Sequence, residues 1–511
     1  MRYRAAILLF LPFAAYAHPC QSCHPKQVEG YAKTGMGRSL RSPQAEPDGS
    51  FTHAKSNTGF LIRSNRNVFV QRMTHQDQNW DYLIDAVIGS GNHASCYVAR
   101  VGDHLFQSPI CFYKNRGYDM APGYEDTAAP GYTRPVTLEC LQCHSGKPLP
   151  IANSLNRYQS PAFAEEAISC DRCHGDTAAH LKRPVRGSIV NPAKLTGALR
   201  DSVCEQCHLS GATRVLNPGK SFGDFHAGQR AEEVFTTYVA RGPAQSLKVV
   251  SHVEQLARSR CAIESKGKLW CGTCHDPHDK PVEPVAYFRA KCLGCHQGEL
   301  PASHPAKSSN CLTCHMPQRE TDDGGHTAFT DHWIERVPRK LGDAGAAAVE
   351  QLVAWREPVL GLRTRNLALA LVTVGARGSS TAMVERGLAM LLEAQKRLPG
   401  DSAVLTGVGS ARQALHDPQG AATAFERVVA LRPNDALAAE SAGMARLEAG
   451  DKAAATRHLE RALALDPLLL PDIDELLKLY REAGDTAKEA ALMSRVQQAM
   501  RTVPKNANKK Q

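Results

Sequence analysis

The stretch CDRCHGDTAAH, residues 170–180, opens with a five-residue pattern that recurs through much of the chain. Two cysteines are separated by two residues, and a histidine follows the second cysteine directly. The pattern occurs seven times. The copies, numbered motifs 1 to 7 in chain order, are Cys20/Cys23/His24, Cys140/Cys143/His144, Cys170/Cys173/His174, Cys204/Cys207/His208, Cys271/Cys274/His275, Cys292/Cys295/His296 and Cys311/Cys314/His315. This repetition indicates that one kind of group is bound seven times.

Each motif has the parts to hold one c-type haem. The two thiols form thioether bonds to the haem, and the adjacent imidazole becomes the proximal iron ligand. Paired Cys-x-x-Cys elements also build zinc sites, and one such pair within a βαβ unit can be a redox dithiol. Neither alternative requires a histidine after every second cysteine. We therefore expect seven covalent haems, with their iron, at the motif cysteines and histidines.

Residues 1–17 have the pattern of a secretory signal peptide. Arg2 and Arg4 precede an apolar run, and Ala15-Tyr16-Ala17 is a small-x-small cleavage site. The alternative interpretation is a buried N-terminal strand. The apolar run is too short to span a bilayer, and no later segment is long and apolar enough. Because c-type haem is attached outside the cytoplasm, we expect a periplasmic or extracellular protein without a transmembrane segment.

The chain of 511 residues has a formal net charge of +10. Each haem adds two propionates, so the loaded protein would be close to neutral or acidic. No basic stripe interleaved with aromatic residues is present, and we expect no nucleic-acid partner.

Composition divides the chain near residue 340, since all 17 Cys and 19 of the 21 His precede it. Residues 18–340 then form a seven-haem cytochrome domain. We expect this domain to be mostly α-helical with little regular structure, because packed porphyrins supply much of the buried apolar surface. Repeats are expected over 345–503, and a basic disordered tail over 504–511.

A small β-hairpin insert is expected at about 50–113. Residues 58–73 alternate and turn at 64–67, and residues 96–111 form a second hairpin that turns near Gly102. Cys96 and Cys111 are nearly equidistant from that turn, so either a cross-strand disulfide or two buried free thiols fits. Cys261 is then left without an assigned role.

The C-terminal part repeats every 34 residues. Pro399, Pro433 and Pro467 have this spacing, as do Gly375, Gly409 and Gly443. The period is typical of the tetratricopeptide repeat, a helix-turn-helix unit that stacks into a solenoid with a concave groove. An ordinary helical bundle is the alternative. We expect an all-α solenoid whose groove binds a protein or a peptide.

Electron-transfer haems usually carry two axial ligands, and twelve non-motif histidines lie before residue 340. His180 and His278 follow motif histidines so closely that we expect each to bind a neighbouring haem. Small residues around His93 allow a porphyrin to approach. The preferred second ligands are His53, His93, His180, His278, His304, His326 and His332. The reserves are His18, His226 and His252, with His75 and His104 less favoured. For any one of them, a surface or propionate-contacting role is the alternative.

Nine segments resemble secreted bacterial multihaem c-type cytochromes that carry C-terminal tetratricopeptide repeats. They are GYAKTGMGRSL (30–40), FTHAKSNTGF (51–60), IGSGNHASCY (88–97), DMAPGYED (119–126), LECLQCH (138–144), CDRCHGDTAAH (170–180), IVNPAKL (189–195), LWCGTCHDPH (269–278) and CLTCHMPQRETDDGGHTAFTDHW (311–333). The haem part is similar to tetrahaem cytochromes of ammonia oxidisers and, more distantly, to pentahaem nitrite reductase and octahaem hydroxylamine oxidoreductase. The resemblance implies stacked haem pairs with bis-histidine ligation, and it supports His180 as a second ligand.

Two functions remain open for the haem region, and a third hypothesis concerns the repeats. The ligand supply favours an electron carrier that reaches redox partner proteins through haem edges. The alternative is an oxidoreductase acting on a small nitrogen or sulfur oxyanion at a five-coordinate haem, with Tyr97, Arg116 and Tyr118 as the first residues to inspect. No motif carries the Lys of the nitrite reductases, and no Tyr can be assigned the hydroxylamine oxidoreductase role. Alternatively, the repeats mainly scaffold a complex.

Overall fold

The computed structural model describes residues 18–44, 46–65, 68–241, 247–296, 304, 310–336 and 351–501. The expected signal peptide and basic tail lie outside these residues. Within them, no helix combines the length and apolar character that a bilayer span requires.

An antiparallel sheet of eight strands dominates the first 120 residues. Its strands are β1 Leu40–Arg41, β2 Gly49–His53, β3 Thr58–Asn65, β4 Val68–His75, β5 Gln78–Ile88, β6 Ala94–Val101, β7 His104–Tyr113 and β8 Gly117–Met120. Strands β2 to β8 pair in sequence order, and β1 pairs with β5. The sheet curls until β8 lies against β2. Its core includes Phe60, Phe69, Tyr97 and Ile110, each at most 2% exposed.

Both expected hairpins are present. In the first, Asn65 pairs with Val68, so the turn falls within 64–67. The second turns between Val101 and His104 and pairs Cys96 with Cys111. These two cysteines form a disulfide, one of the two states that the sequence left open.

The expectation of a mostly α-helical haem domain with only a small hairpin insert was wrong. The sheet extends from Leu40 to Met120, beyond the predicted 50–113, and strand β5 lies between the two hairpins. Strand β5 was missed because its burial pattern does not alternate regularly. Aromatic and branched side chains fill the core of this region.

The motif-bearing region from 121 to 336 has the short elements that were expected. Helix α1, Pro25–Tyr31, lies before the sheet, next to motif 1. The helices of the region 121–336 are α2 Leu138–Gln142, α3 Asp171–His174, α4 Thr177–Lys182, α5 Gly197–His208, α6 His252–Ala257, α7 Arg260–Glu264, α8 Cys271–Cys274, α9 Pro284–Leu293 and α10 Leu312–His315. Its strands are β9 Lys147–Pro150, β10 Tyr158–Glu165, β11 Thr213–Leu216, β12 Phe235–Arg241, β13 Gln318–Glu320 and β14 Ala328–Thr330. Single 3-10 turns occupy Met36–Arg38, Pro192–Lys194, Phe222–Asp224 and Ala231–Glu233.

Four helical hairpins make up the C-terminal array. The helices are α11 Arg363–Arg377, α12 Thr381–Arg397, α13 Ser402–Ala414, α14 Pro418–Leu431, α15 Ala436–Glu448, α16 Lys452–Leu465, α17 Leu470–Glu482 and α18 Thr486–Arg501. The starts of α13, α15 and α17 are 34 residues apart, which matches the sequence period. Asp401 and Asp435 cap α13 and α15 by accepting hydrogen bonds from backbone N–H groups.

The repeated glycines mark the closest approach of paired helices. A Cβ at Gly409 would lie 2.5 Å from the ring of Phe425, and one at Gly443 would lie 2.7 Å from Leu459. Only hydrogen fits at these two positions, so the 34-residue spacing of glycine follows from helix packing.

Residues just before the array belong to the preceding sheet. Strand β15, Gln351–Ala354, pairs antiparallel with β12, so the first helix begins only at Arg363. Strands β11, β12 and β15 form a three-stranded sheet, and helix α11 packs on it. The Asn366 side chain donates hydrogen bonds to Asn217 and Thr236, each 3.0 Å long. The array therefore begins as a continuation of the motif-bearing region.

Candidate haem-ligand pairs

Four motif histidines each lie opposite a second histidine, which comes from a distant segment in three pairs and from 11 residues earlier in the His304–His315 pair. The ring-centre distances are 6.5 Å for His24–His180, 5.8 Å for His174–His278, 6.2 Å for His275–His332 and 6.2 Å for His315–His304. The rings of the first three pairs are within 27° of parallel. Each pair combines a motif histidine with one of the preferred second ligands.

This spacing is too wide for direct stacking and matches a bridging metal ion. A metal–imidazole bond is about 2 Å long, and a ring nitrogen lies about 1 Å from its ring centre, so two imidazoles on one iron have centres roughly 6 Å apart. The four pairs fall close to that value. Their geometry therefore fits an axially ligated haem iron.

Hydrogen bonds fix the ring orientation of several of these histidines. Nδ1 of His174 lies 2.8 Å from the Val190 carbonyl oxygen, and Nδ1 of His332 lies 3.0 Å from that of Thr330. His315 makes the same kind of contact with a backbone carbonyl. A carbonyl only accepts, so each Nδ1 carries the proton. Nε2 is left with the lone pair that iron requires.

Burial favours the neutral, metal-binding form of three of the paired imidazoles. Desolvation lowers the pKa of His174, His275 and His332, and for His174 the hydrogen bond to Val190 opposes this only in part. Burial also lowers the pKa of His208 to about 4 and that of His252 to about 3. Protons therefore do not compete with a metal at neutral pH.

Motif 4 has a less regular arrangement. His208 lies 5.2 Å from His252 with the rings nearly perpendicular, and His252 lies 4.7 Å from His332. The His208–His252 distance is about 1 Å shorter than expected for two imidazoles bound to one iron. His332, for its part, already lies opposite His275. His252 is nevertheless the histidine that the structure places beside motif 4, although the sequence ranked it as a reserve.

Thiols of different motifs also meet. Cysteine pairs in hydrogen-bonding contact connect motif 1 with 3, motif 2 with 4, motif 4 with 5, and motif 6 with 7. They are Cys20–Cys170, Cys143–Cys207, Cys204–Cys271 and Cys292–Cys311. None of these pairs is a disulfide. His18, a reserve ligand, joins Cys20 and Cys170 in the one cluster of potential metal ligands found among the described residues.

The second cysteines of motifs 6 and 7 lie at the surface. Cys295 and Cys314, both predicted haem-attachment residues, are exposed. The physical reason is that helices α9 and α10, which carry these motifs, have no buried residue. The Cys314 thiol has the hydroxyl of its neighbour Thr313 at 3.9 Å. Haem attachment at Cys295 and Cys314 stays a prediction.

Two further motif cysteines are exposed to solvent. Cys23 of motif 1 and Cys140 of motif 2 are exposed, whereas the first cysteine of motif 1 and the second of motif 2 are half-buried. The Cys140 thiol lies 3.5 Å from the hydroxyl of Thr137, at the start of α2. In these two motifs the protein covers one thiol more than the other.

Three preferred histidines are placed away from the motif histidines. Both ring nitrogens of His53 are engaged, with Ser56 at 2.8 Å and the Glu125 carbonyl at 3.1 Å. His93 packs on Phe329 at 4.4 Å. His326 lies 3.4 Å from Asp119 and meets the edge of Tyr113.

The less favoured histidines also have other roles. His104 is 1% exposed and lies 2.6 Å from Asp466 of the repeat array. His75 contacts Thr58, and His226 is exposed.

Two motif histidines have no ring partner among the described residues. His144 is half-buried, and burial lowers its pKa. His296 is exposed, and the chain that follows it lies outside the described residues.

The residues proposed for a catalytic pocket belong to the sheet. Tyr97 is 1% exposed, and its hydroxyl lies 3.5 Å from that of Tyr118. The Tyr118 hydroxyl also donates to the Pro47 carbonyl. Arg116 pairs with Asp119. The two tyrosine hydroxyls and the Arg116 guanidinium therefore each have a partner within the protein.

No family model matches this chain, and no curated protein does. Among solved structures, it is similar to helical-repeat proteins. One is titled as the first TPR of Spaghetti (RPAP3) bound to an HSP90 peptide, with 22% identity, a TM-score of 0.21, and coverage of 23% of this chain and 94% of that one. A crystal structure of MamA shares 16% identity at a TM-score of 0.24, with coverage of 26% and 79%. Another MamA structure shares 19% at 0.23, with coverage of 27% and 74%. The likeness concerns about a quarter of the chain and the repeat fold alone.

Proposed function

We propose that this protein is a multihaem c-type cytochrome that carries electrons through seven covalently attached haems. The observation that carries the proposal is the set of four histidine pairs with iron-sized gaps. When bound, each haem iron supplies a one-electron redox centre. The chain supplies two axial imidazoles per pair, each held by packing or by an Nδ1 hydrogen bond.

Contacts between motifs arrange them in a line. Motif 1 contacts motif 3 through cysteine thiols and receives His180 from the segment after motif 3. Motif 3 receives His278 from the segment after motif 5. Thiol contacts continue from motif 5 to motif 4 and on to motif 2. We infer the order 1–3–5–4–2. Motifs 6 and 7 contact each other, and they join the line at motif 5, where helix α9 packs on α8 and Phe288 meets His275.

An oxidising compartment fits this chemistry. Attachment of c-type haem takes place outside the cytoplasm, and disulfides such as Cys96–Cys111 persist there. We therefore propose a periplasmic or extracellular protein, and we propose that the repeat array docks a protein partner.

Haem content tests the proposal directly. The full-length precursor, expressed in a bacterium with a c-type haem attachment system, should yield a red, secreted protein. Pyridine haemochrome quantification and intact mass should both give seven haems per chain. A colourless protein, or one whose thiols hold zinc, would refute the function.

Motif 2 supports the second candidate function, an oxidoreductase acting on a small nitrogen or sulfur oxyanion. Among the described residues no histidine ring contacts His144, so motif 2 is where we place a five-coordinate haem if the protein is an enzyme. Arg38 lies in this part of the fold, next to Ser39, whose hydroxyl donates to the His144 carbonyl. The Arg38 Nε is buried and has no partner. A guanidinium of this kind could stabilise an oxyanion.

Spin state separates the two functions. Electron paramagnetic resonance of the oxidised protein should show only low-spin iron if the protein is purely a carrier. A high-spin signal that disappears on addition of nitrite or sulfite, and that is altered in Arg38→Gln, would favour the enzyme.

A further inference from the structure

The segment Leu181–Gly187, here called the basic loop, projects from the surface beside motifs 1 and 3. All seven of its residues are exposed. It contains Lys182, Arg183 and Arg186, and no acidic residue occurs between 177 and 200. None of the ion pairs within the described part of the chain includes these three cations. The loop therefore presents three uncompensated positive charges.

One serine fixes the loop against the motif 1 histidine pair. The Ser188 Oγ lies 2.7 Å from Nδ1 of His180, and it donates to the carbonyl of Val185 at 2.7 Å or of Arg183 at 3.0 Å. Because its hydroxyl proton points to the loop, Oγ accepts the Nδ1 proton of His180. Nε2 of His180 is then left with its lone pair, and the ring lies 6.5 Å from that of His24.

The other end of the loop leads to motif 3. Two residues after Ser188, the Val190 carbonyl accepts a hydrogen bond from Nδ1 of His174. The basic loop is thus held between a histidine of the motif 1 pair and a histidine of the motif 3 pair. A protein docked on it would lie beside both.

Apolar side chains accompany the charges. Leu181 is 48% exposed and Val185 is 47% exposed. Apolar contact area within a rim of one charge sign is typical of protein interfaces that form fast, steered complexes. Motif 1, where Cys23 and His24 are exposed, is also one end of the inferred line of motifs.

We propose that the basic loop is the docking surface for an acidic one-electron carrier protein, which exchanges electrons at the motif 1 end. The proposal rests on the haem-based function above. In one transfer, the reduced centre of the partner loses one electron and one ferric haem becomes ferrous. No bond forms or breaks, and no proton is required.

Charge reversal at the loop tests the proposal on the haem-loaded full chain. The probe is a reduced plant-type ferredoxin, an acidic one-electron protein, mixed anaerobically with the oxidised protein in a stopped-flow instrument. Lys182→Glu/Arg183→Glu/Arg186→Glu should lower the second-order rate of haem reduction at least about tenfold at low salt. The difference should vanish at high salt, because screening removes steering. The neutral Lys182→Gln/Arg183→Gln/Arg186→Gln variant should fall between the two.

The matched control reverses three exposed cations outside both the basic loop and the array, Lys55, Arg63 and Lys114, and should leave the rate unchanged. Haem content and full reduction by dithionite are measured for every variant. If the proteins carried no haem, the proposed function would be refuted. If the haem-loaded variants had equal rates at low salt, the docking proposal alone would be refuted. It would also be overturned if the loop variants lost binding to phosphatidylglycerol vesicles while ferredoxin rates stayed constant, since the loop would then recognise a membrane surface.

Discussion

At the scale of single residues, the chemistry depends on which ring nitrogen carries a proton. A backbone carbonyl or Ser188 holds Nδ1 of several histidines, and burial lowers the pKa of His174. Both effects leave Nε2 free to bind iron. A histidine whose two nitrogens are already engaged, such as His53, has no such atom to offer.

Replacing His180 should expose one iron. In His180→Ala, the haem at motif 1 loses its second ligand and the other six haems are unaffected, so the high-spin share should rise by about one seventh of the total haem. Electron paramagnetic resonance and the visible spectrum of the oxidised protein measure this fraction. His226→Ala is the control, because His226 is exposed and faces no motif histidine. An entirely low-spin His180→Ala protein would remove His180 from the ligand set.

At the scale of elements, small residues decide how closely the array helices pack. Gly409 and Phe425 come from the two helices of one hairpin, and Phe425 is 3% exposed. Its ring has no space into which it can retreat. The sequence period thus reflects a steric requirement that recurs in each repeat.

A single methyl group should disturb this hairpin. Gly409→Ala should lower the free energy of unfolding of the array by about 1–2 kcal/mol, because overpacking outweighs the gain in helix propensity. Urea denaturation followed by circular dichroism at the helix band measures the change. Gly400→Ala is the control, since a Cβ there meets nothing within 4 Å. Equal stability of both variants would show that the hairpin adjusts freely.

At the scale of the molecule, the array is attached to the rest of the chain at two places. Near its start, Asn366 contacts the β11–β12–β15 sheet. Near its end, the loop before α17 meets the N-terminal sheet, where Asp466 contacts His104 and the Leu465 carbonyl accepts from Arg157. A deletion after residue 345 would also remove strand β15. Point changes are therefore the better test of what the array does.

The contact between the end of the array and the N-terminal sheet contains several titratable groups. Burial alone would lower the pKa of His104, but hydrogen bonds to Asp103 and Asp466 outweigh it and raise that pKa. Burial raises the pKa of Asp472 to about 8, and both of its oxygens lack partners. The pKa of Glu440 is raised for the same reason.

We expect this attachment to weaken as the pH rises. Protonated His104 stabilises the contact fully below its unfolded pKa of about 6.5, and this contribution is lost as pH passes its raised folded pKa. Asp472 acts in the same direction, because it must ionise in a buried site as the pH approaches about 8. Hydrogen-exchange protection factors in α17 should fall at least about tenfold between roughly pH 6 and pH 9.

Asp472→Asn should reduce that pH dependence, because an amide cannot ionise. Asp474→Asn is the matched control, since Asp474 is exposed on the same helix. If protection in α17 has the same pH profile in all three proteins, the buried carboxyl does not govern the attachment.

Much of the local structure could be predicted from the sequence. The hairpin turns, the 34-residue helix pairs and the short helices at the motifs depend on residues adjacent in the chain or on a repeated steric pattern. The full extent of the N-terminal sheet could not be predicted, because β5 lacks alternation and is held by its neighbours. Nor could the exposure of Cys295 and Cys314, because a motif reads the same whether or not other segments cover it.

The sequence by itself determined the seven attachment motifs and the supply of histidines. Only the tertiary structure decided which histidine faces which motif: His180 faces His24, and His252, a reserve, lies beside His208, whereas His53 lies apart. The reason is physical. The motif is a property of five consecutive residues, but a gap of about 6 Å between two imidazoles requires separate backbone segments to be held close to each other.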